Sequence, residues 1–201
     1  MVLVGCSSGD EPAGAEPSAT YSFAETVAAD EICDGSITGE AARELERLAS
    51  GTEFSEAEGF PRVDLGEFAA EFAEPDTFYE NSFCDIYSTT YGTYPLVSFQ
   101  FFWLSRGSVQ GAEPEVGAVL YGTGNSAFVE DRSANIRFPC PVRETEGEDL
   151  FISLLLTAPD APVDPDAMMA VVNSVSSALS GELGCPDAGL TVSPPERLPD
   201  A

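Results

Sequence analysis

Apolar residues occupy every second position from Val97 to Trp103, in the stretch that holds the only Trp of the chain. A period of two is typical of a β-strand with one buried face. The opposite face, from Leu96 to Leu104, mixes apolar and polar residues. We therefore predict a central strand, packed under a helix on one side and half covered on the other. A buried helix segment is the alternative, which the Val and Phe content disfavours.

Other short apolar runs, bounded by turn residues, predict further strands. They cover residues 82–89, 116–121, 127–129, 135–140 and 150–157, and residues 90–93 turn the first of them into the central strand as a hairpin. Residues 52–62 and 106–114 are predicted loops. The run Gly-Thr-Gly-Asn at 122–125 is a predicted hairpin turn, because a phosphate-binding loop would need a helix and a Lys after it.

Apolar residues at helical spacing predict three helices. The first ends at Ala49 and has Thr38 as its expected N-cap; the second covers residues 64–73. The third has Asp164 as N-cap, Pro165 at the first helical position and Gly184 as its stop. We expect its apolar face to cover the central strand. Its other face is polar: Asn173, Ser174, Ser176, Ser177 and Ser180.

The charge of the chain is extreme, with 35 acidic and 8 basic residues and a formal net charge of -27. Such a surface repels nucleic acid and anionic lipid headgroups, and it suits basic proteins or cations; a codon-biased or salt-adapted acidic surface is the alternative. There is no His, and all the basic residues are Arg. These absences exclude Ser-His-Asp and Cys-His catalysis, His-ligated zinc, a P-loop lysine and Schiff-base chemistry. Carboxylate, Tyr, Arg and thiolate chemistry stay open.

The first cysteine lies in Leu3-Val4-Gly5-Cys6, which resembles the lipobox of bacterial lipoproteins. In that family the Cys thiol receives a lipid, so the resemblance implies lipidation of Cys6 and makes residues 1–6 the remnant of a signal peptide. A cytosolic protein with a chance Cys is the alternative. Residues 7–29, rich in small and polar residues, are a predicted flexible tether. Residues 30–186 form the predicted domain, and residues 187–201 a loose tail.

Four cysteines remain, Cys33, Cys84, Cys140 and Cys185, each at the edge of a predicted element. In an extracytoplasmic protein an even number predicts two disulfides, with three possible connectivities. A metal site of four thiolates is disfavoured because paired Cys-x-x-Cys spacing is absent. We expect no metal and no cofactor.

Together these motifs resemble uncharacterised cell-envelope lipoproteins of high-GC Gram-positive bacteria. The matching segments are Leu3-Val4-Gly5-Cys6, Ile32-Cys33-Asp34-Gly35, Phe83-Cys84-Asp85-Ile86, Phe138-Pro139-Cys140 and Glu182-Leu183-Gly184-Cys185. The resemblance implies disulfides Cys33–Cys84 and Cys140–Cys185. It implies location at the outer face of the membrane, held through the lipid on Cys6 alone, and it implies no activity.

Tyr79, Tyr87, Tyr91 and Tyr94 gather around the predicted hairpin, among Ser and Thr. Tyr and Ser are typical of adaptable binding surfaces, so Tyr87, Tyr91 and Tyr94 are candidate binding residues; tyrosines at the edge of the core are the alternative. Glu144, Glu146, Glu148 and Asp149 could hold Ca²⁺, but their spacing matches no EF-hand loop, and a solvated acidic turn is the expectation.

We predict an α+β fold with N-terminal helices, an antiparallel sheet of about four to six strands and a C-terminal helix packed on it. Its expected specific form is a PsbP-like α/β/α sandwich. The function expected is that of a non-enzymatic binding or interaction module, without catalytic residues, for a basic envelope protein or a cationic ligand. A carboxylate-based hydrolase of the envelope and a purely structural component are the alternatives. Two buried acids about 5–10 Å apart in a deep cleft would favour the hydrolase.

Overall fold

The computed structural model describes residues 25–56, 64–74, 83–92, 94–105, 113–142 and 148–199. Three α-helices lie in these ranges: α1 (Glu40–Ala49), α2 (Leu65–Phe72) and α3 (Pro165–Leu183). Seven strands accompany them: β1 (Phe54–Ser55), β2 (Asp85–Ser88), β3 (Val97–Ser105), β4 (Val119–Leu120), β5 (Ser126–Glu130), β6 (Ser133–Pro139) and β7 (Glu148–Leu156). None of the helices in these ranges has the length and apolar character needed to cross a membrane.

The strands form one antiparallel sheet in the order β1-β2-β3-β7-β6-β5-β4. The predicted α+β class is confirmed, with the C-terminal helix packed on the sheet. The strand number exceeds the expected four to six because β1, only two residues long, was not predicted; the other edge strand, β4, lies within the predicted strand 116–121. β1 falls inside the predicted loop 52–62. Its pairing is too short to leave a periodic pattern, although Phe54 is fully buried.

The two faces of the sheet differ as the alternation in β3 predicts. Val97, Phe99 and Phe101 are fully buried, and their partners Leu156, Leu154 and Ile152 in β7 are buried as well. The opposite face carries Ser98, Gln100 and Phe102, all half-buried.

The helices lie on the first face. α2 contacts β3 through Phe68 and Phe101, and α1 and α2 both pack on α3. Within the described ranges the arrangement therefore has two layers, and the α/β/α sandwich is not seen there.

Helix α3 begins and ends where its sequence signals predict. Asp164 Oδ1 accepts from the Ala167 backbone N–H at 3.1 Å, and Gly184 closes the helix with φ at 68°. The expectation that α3 covers the central strand is wrong: α3 lies mainly over β5, β6 and β7, while α2 covers β3. The polar face of α3 is also less open than its composition indicates, because Asn173 and Ser176 are buried.

Helix α1 starts differently from its prediction. Its N-cap is Gly39, at φ 60°, and no side chain caps the helix. The carbonyl of Thr38, rather than its side chain, accepts a hydrogen bond from the Ala41 N–H. A left-handed φ at this position favours glycine over a β-branched residue. The first turn of α1 therefore has no side-chain acceptor.

Both disulfides are present, in the pairing that the resemblance implies. Cys33–Cys84 joins the loop before α1 to the start of β2, with the Cα atoms 5.6 Å apart. Cys140–Cys185 joins the end of β6 to the end of α3, with the Cα atoms 4.6 Å apart. Both separations are ordinary for disulfides.

The tail after Asp187, predicted to be loose, is hydrogen-bonded to the domain up to Leu198. Gly124 N–H donates to the Gly189 carbonyl, and the Leu198 N–H donates to the Leu120 carbonyl. The predicted turn at 122–125 takes part in this contact. A Cβ on Gly124, at φ 57°, would lie 2.6 Å from the Arg137 carbonyl oxygen, so the turn requires glycine. The tail thus pairs with the chain at the β4 edge of the sheet. Its Pro content had favoured a loose tail instead.

Tyr121 lies under this tail and should ionise late. Its hydroxyl donates to Asp166 Oδ1 at 2.7 Å, and Arg197 holds the same carboxylate. Burial first, and this hydrogen bond second, raise the pKa of Tyr121 above its ordinary value. A raised folded-state pKa stabilises the fold below the unfolded value of about 10, and this stabilisation is lost as pH rises through the folded value. In an alkaline absorbance titration, Tyr121→Phe should remove a phenol that ionises above the ordinary tyrosine pKa; an unchanged titration at high pH would contradict this assignment.

Candidate functional site

The tyrosines of the β2–β3 hairpin do not form one exposed surface. Tyr87 is 9% exposed. The Tyr91 hydroxyl donates to the Leu48 carbonyl at 3.5 Å, and its ring packs against the core. Tyr94 alone of these three presents a large exposed ring, at 60% exposure. Tyr79 lies outside the described residues. The hairpin therefore offers one aromatic contact residue, and two of the three candidates serve the edge of the core.

The acidic segment at 144–149 also differs from the solvated turn that the sequence predicts. Glu144 and Glu146 lie outside the described residues. Asp149 is no turn residue: it belongs to β7, is 3% exposed, and accepts from Arg137 Nε at 2.7 Å. Burial with one Arg partner suits a structural ion pair better than a Ca²⁺ ligand.

An open cleft of about 660 Å³ lies between α1 and α3. We call it the α1–α3 cleft. Its walls come from three separate segments: the loop and first turn of α1 at 35–43, the side of α3 at 170–178, and the tail at 192–194. The volume falls in the range of small-molecule sites.

Hydrogen bonds hold these walls in place. Ser174 Oγ accepts from the Thr38 N–H at 3.1 Å and donates to the Ser36 carbonyl at 2.9 Å, which joins α3 to the loop before α1. Asn173 Nδ2 donates to the Thr191 carbonyl at 2.8 Å, which joins α3 to the tail. The cleft is thus bordered by side chains and backbone that are already fixed, as ligand sites usually are.

The loop wall has a strained local conformation with separate supports. Cys33 and Asp34 both have positive φ, at 53° and 56°, which non-glycine residues rarely adopt. Asp34 Oδ2 accepts from the Leu65 N–H at 2.9 Å, and Cys33 is bonded to Cys84. The disulfide and the α2 contact therefore maintain a backbone that the sequence alone disfavours, beside the cleft.

Six polar uncharged side chains line the cleft, beside apolar surface of similar area. Ser36, Thr38, Asn173, Ser174, Ser177 and Ser193 line it, with Glu40 as the one carboxylate and Arg43 as the one cation among the lining residues. The buried hydroxyl oxygens of Ser36 and Ser177 have no hydrogen-bond partner. Such a surface suits hydrogen bonding to a polar ligand, and it has no pair of carboxylates for general acid-base hydrolysis.

One feature of the sequence indicates this site, although the periodic pattern of apolar residues does not reveal it. Between Asp166 and Glu182 the helix α3 has no charged residue, although the chain has 35 acids. A water-facing helix side in so acidic a protein would be expected to carry some of them. The serines on this side line a cleft and contact the loop before α1 instead.

Comparison of the chain with protein-family models, with curated proteins and with solved structures finds no match. Within residues 25–56, 64–74, 83–92, 94–105, 113–142 and 148–199, no group of three or more Cys, Asp or Glu side chains is placed to hold a metal ion.

Proposed function

We propose that this chain is an extracytoplasmic lipoprotein domain, anchored through a lipid on Cys6, that binds a small polar ligand in the α1–α3 cleft without catalysing a reaction. The observation that carries the proposal is the cleft itself, a space of about 660 Å³ lined by hydroxyl and amide side chains beside apolar surface of similar area. The two disulfides support an oxidising compartment.

Two features favour binding over the alternatives. A carboxylate-based hydrolase needs two acids near one bond, and Glu40 is the single carboxylate of the cleft lining. A purely structural component has no need of an open cleft whose polar side chains come from three separate segments.

The net charge of -27 sets which ligands approach easily. It speeds the encounter with a cationic group and slows that with anions. We keep the proposal that the ligand or partner carries positive charge, such as a basic envelope protein or a cationic small molecule. The contact surface proposed is the cleft, because the hairpin contributes only Tyr94.

The proposed lipid anchor on Cys6 leads to a separate prediction. With a signal sequence placed before residue 1, the Cys6→Ala variant should appear in the soluble extracytoplasmic fraction, because it lacks the thiol that takes the lipid. The unaltered chain should stay with membranes and incorporate labelled fatty acid. The control is Cys33→Ala, which should still incorporate the label. Equal labelling of the Cys6→Ala variant would contradict the anchor.

The cleft is tested by equilibrium dialysis of the full chain against a small-molecule extract of the cell envelope, followed by mass spectrometry. Ser193 lines the cleft and is exposed, so Ser193→Trp adds a large ring there without burying it in the core. This variant should lose the retained ligand. Val163→Trp, an exposed site elsewhere, and Tyr94→Ala should both keep it. Loss in Tyr94→Ala alone would assign binding to the hairpin instead.

A further inference from the structure

We propose that residues 191–198, which we call the C-terminal strap, form a movable wall of the α1–α3 cleft. The strap detaches from α3 and from the β4 edge while the rest of the domain stays folded, and this movement lets a ligand enter and leave the cleft. The inference rests on the proposed function and specifies how the same site is controlled.

The segment just before the strap is firmly held. Cys185 is part of a disulfide, and Ala188 and Leu190 pack half-buried against the core. The Gly189 carbonyl accepts from the Gly124 N–H at 2.9 Å. Because these contacts precede the strap, its movement leaves the end of α3 in place.

At its start the strap is held by the backbone of one residue. The Thr191 N–H donates to Thr123 Oγ1 at 3.2 Å, and the Thr191 carbonyl accepts from Asn173 Nδ2 at 2.8 Å. Thr123 and Asn173 are both buried, and they are hydrogen-bonded to each other at 2.9 Å. Detachment takes the acceptor away from the Asn173 amide, and the cost of that unsatisfied donor favours the return of the strap.

At its other end the strap pairs with the chain at the β4 edge of the sheet. The Gly122 N–H donates to the Glu196 carbonyl at 3.0 Å, and the Leu198 N–H donates to the Leu120 carbonyl at 2.8 Å. Gly122 and Leu198 are both exposed. Backbone hydrogen bonds in such exposed positions open at a lower free energy than those of central strands.

The side chains of the strap add little further attachment. Arg197 pairs with Asp166, but both side chains are more than half exposed, so solvent screens this ion pair. Val192 is fully exposed and Leu198 is 47% exposed, so their detachment returns little apolar surface to water. Tyr121, buried beneath the strap, keeps its own hydrogen bond to Asp166. Detachment of the strap is therefore much less costly than unfolding of the domain.

The part of the strap that lines the cleft lies between these two attachments. It consists of Val192, Ser193 and Pro194. Within the part of the chain that the structure describes, the hydrogen bond made by these three residues joins the Ser193 carbonyl to Thr191 Oγ1, inside the strap. Pro194 and Pro195 have no N–H to donate to a neighbouring strand. This wall therefore moves away from the cleft whenever the two ends detach.

Native-state amide hydrogen exchange of the full chain, followed by NMR without added ligand, tests the movement. The Gly122 and Leu198 N–H groups should have protection factors at least about a hundredfold lower than the amides of β3 and β7, and nearly independent of low urea concentrations. Gly124 is the matched control in the same turn, because its N–H bonds to Gly189 outside the strap, and it should be better protected than Gly122. Equal protection of Gly122 and Gly124, or of Gly122 and the β7 amides, would overturn the inference.

A charge variant tests the far attachment. Arg197→Gln removes the ion pair with Asp166, outside the cleft lining, and should raise the exchange rate of the Gly122 N–H about two- to fivefold. Arg47→Gln, which removes an exposed ion pair of α1, should leave that rate unchanged. Equal Gly122 rates in the two variants would overturn the role assigned to Arg197.

A crosslink tests whether the movement controls entry. Tyr121 and Arg197 face each other in an antiparallel pair between two backbone hydrogen bonds, a position where Cα atoms are close enough for a disulfide. The double variant Tyr121→Cys/Arg197→Cys, once oxidised, should take up the compound retained from the small-molecule envelope extract at least about tenfold more slowly than Tyr121→Ser/Arg197→Ser. Rapid gel filtration at successive times, followed by mass spectrometry, measures the uptake. Equal rates in the two double variants would overturn the inference.

Uptake by Ser193→Trp separates this inference from the proposed function. If the crosslinked variant and its serine control take up the compound at the same rate while Ser193→Trp loses it, the strap does not control entry and the cleft remains the binding site. If wild type retains no compound from the extract, the proposed function is contradicted, and the control of entry is overturned with it.

Discussion

Replacing Phe101 by Ala is expected to lower the free energy of unfolding by about 3–5 kcal/mol. Phe101 is fully buried in β3, and its ring centroid lies 5.1 Å from that of Phe68 and 6.2 Å from those of Phe72 and Phe83. Removing it opens a cavity between the sheet and α2 that neighbouring rings cannot fill without losing their own contacts. Urea denaturation followed by circular dichroism measures the change.

The adjacent residue provides the matched control. Phe102 is half-buried on the opposite face of the same strand, with Phe151 as its ring neighbour at 6.2 Å. Phe102→Ala should cost clearly less than Phe101→Ala, because less apolar surface returns to water. Equal losses would show that the two faces of β3 contribute alike, and the two-layer description would then be wrong.

Arg137→Met is expected to lower the free energy of unfolding by about 3–5 kcal/mol, because it leaves a buried carboxylate without its partner. Asp149 is 3% exposed and pairs with Arg137, and its second oxygen, Oδ1, already has no hydrogen bond. The variant should therefore unfold at much lower urea concentration than the wild type.

A double-mutant cycle separates the loss of the attraction between Arg137 and Asp149 from the free-energy cost of leaving the Asp149 carboxylate buried without a partner. Adding Asp149→Leu to Arg137→Met should recover most of the lost stability, since a buried ion pair can be replaced by apolar residues at little cost. Arg47→Met is the control: this exposed pair with Glu44 and Asp164 should contribute about 1 kcal/mol or less. A double variant no more stable than Arg137→Met would contradict the argument.

The parts of the fold that follow from the sequence are those with a long periodic signal or a specific cap. The nine residues of β3 alternate cleanly, and Asp164, Pro165 and Gly184 mark the ends of α3. The pairing of the cysteines came from resemblance, since spacing alone leaves three connectivities open. Strand β1 was too short to predict, because two residues cannot show a period, whereas β4 lies within the predicted strand 116–121.

Other departures come from tertiary contacts that local patterns do not encode. Asn173 is polar but buried, because Thr123 and the tail carbonyl of Thr191 satisfy its amide. The tail has low strand propensity, yet the β4 edge offers it backbone partners. Asp149 follows an acidic run, yet it is buried in β7 because the side chain of Arg137, two residues before its register partner Pro139 in β6, pairs with it. In each case a partner distant in sequence decides the environment.

The α1–α3 cleft could not be predicted for the same reason. The wall at 35–43 lies more than a hundred residues before the other two, and the packing of α1 on α3 and the return of the tail bring the three together. The hairpin tyrosines were visible to sequence analysis because they are clustered along the chain. Tyr87 and Tyr91 nevertheless lie at the edge of the core. The clustering of tyrosines along the chain does not distinguish residues that pack at the core edge from residues that bind a ligand.

Amide hydrogen exchange of the full chain, with and without the small-molecule envelope extract, tests the central claim most directly. Binding in the cleft should slow exchange in peptides covering residues 35–43, 170–178 and 192–194, and leave those of the β2–β3 hairpin unchanged. Ser193→Trp should abolish this protection. Protection confined to the hairpin around Tyr94, or no protection in any peptide, would contradict the account.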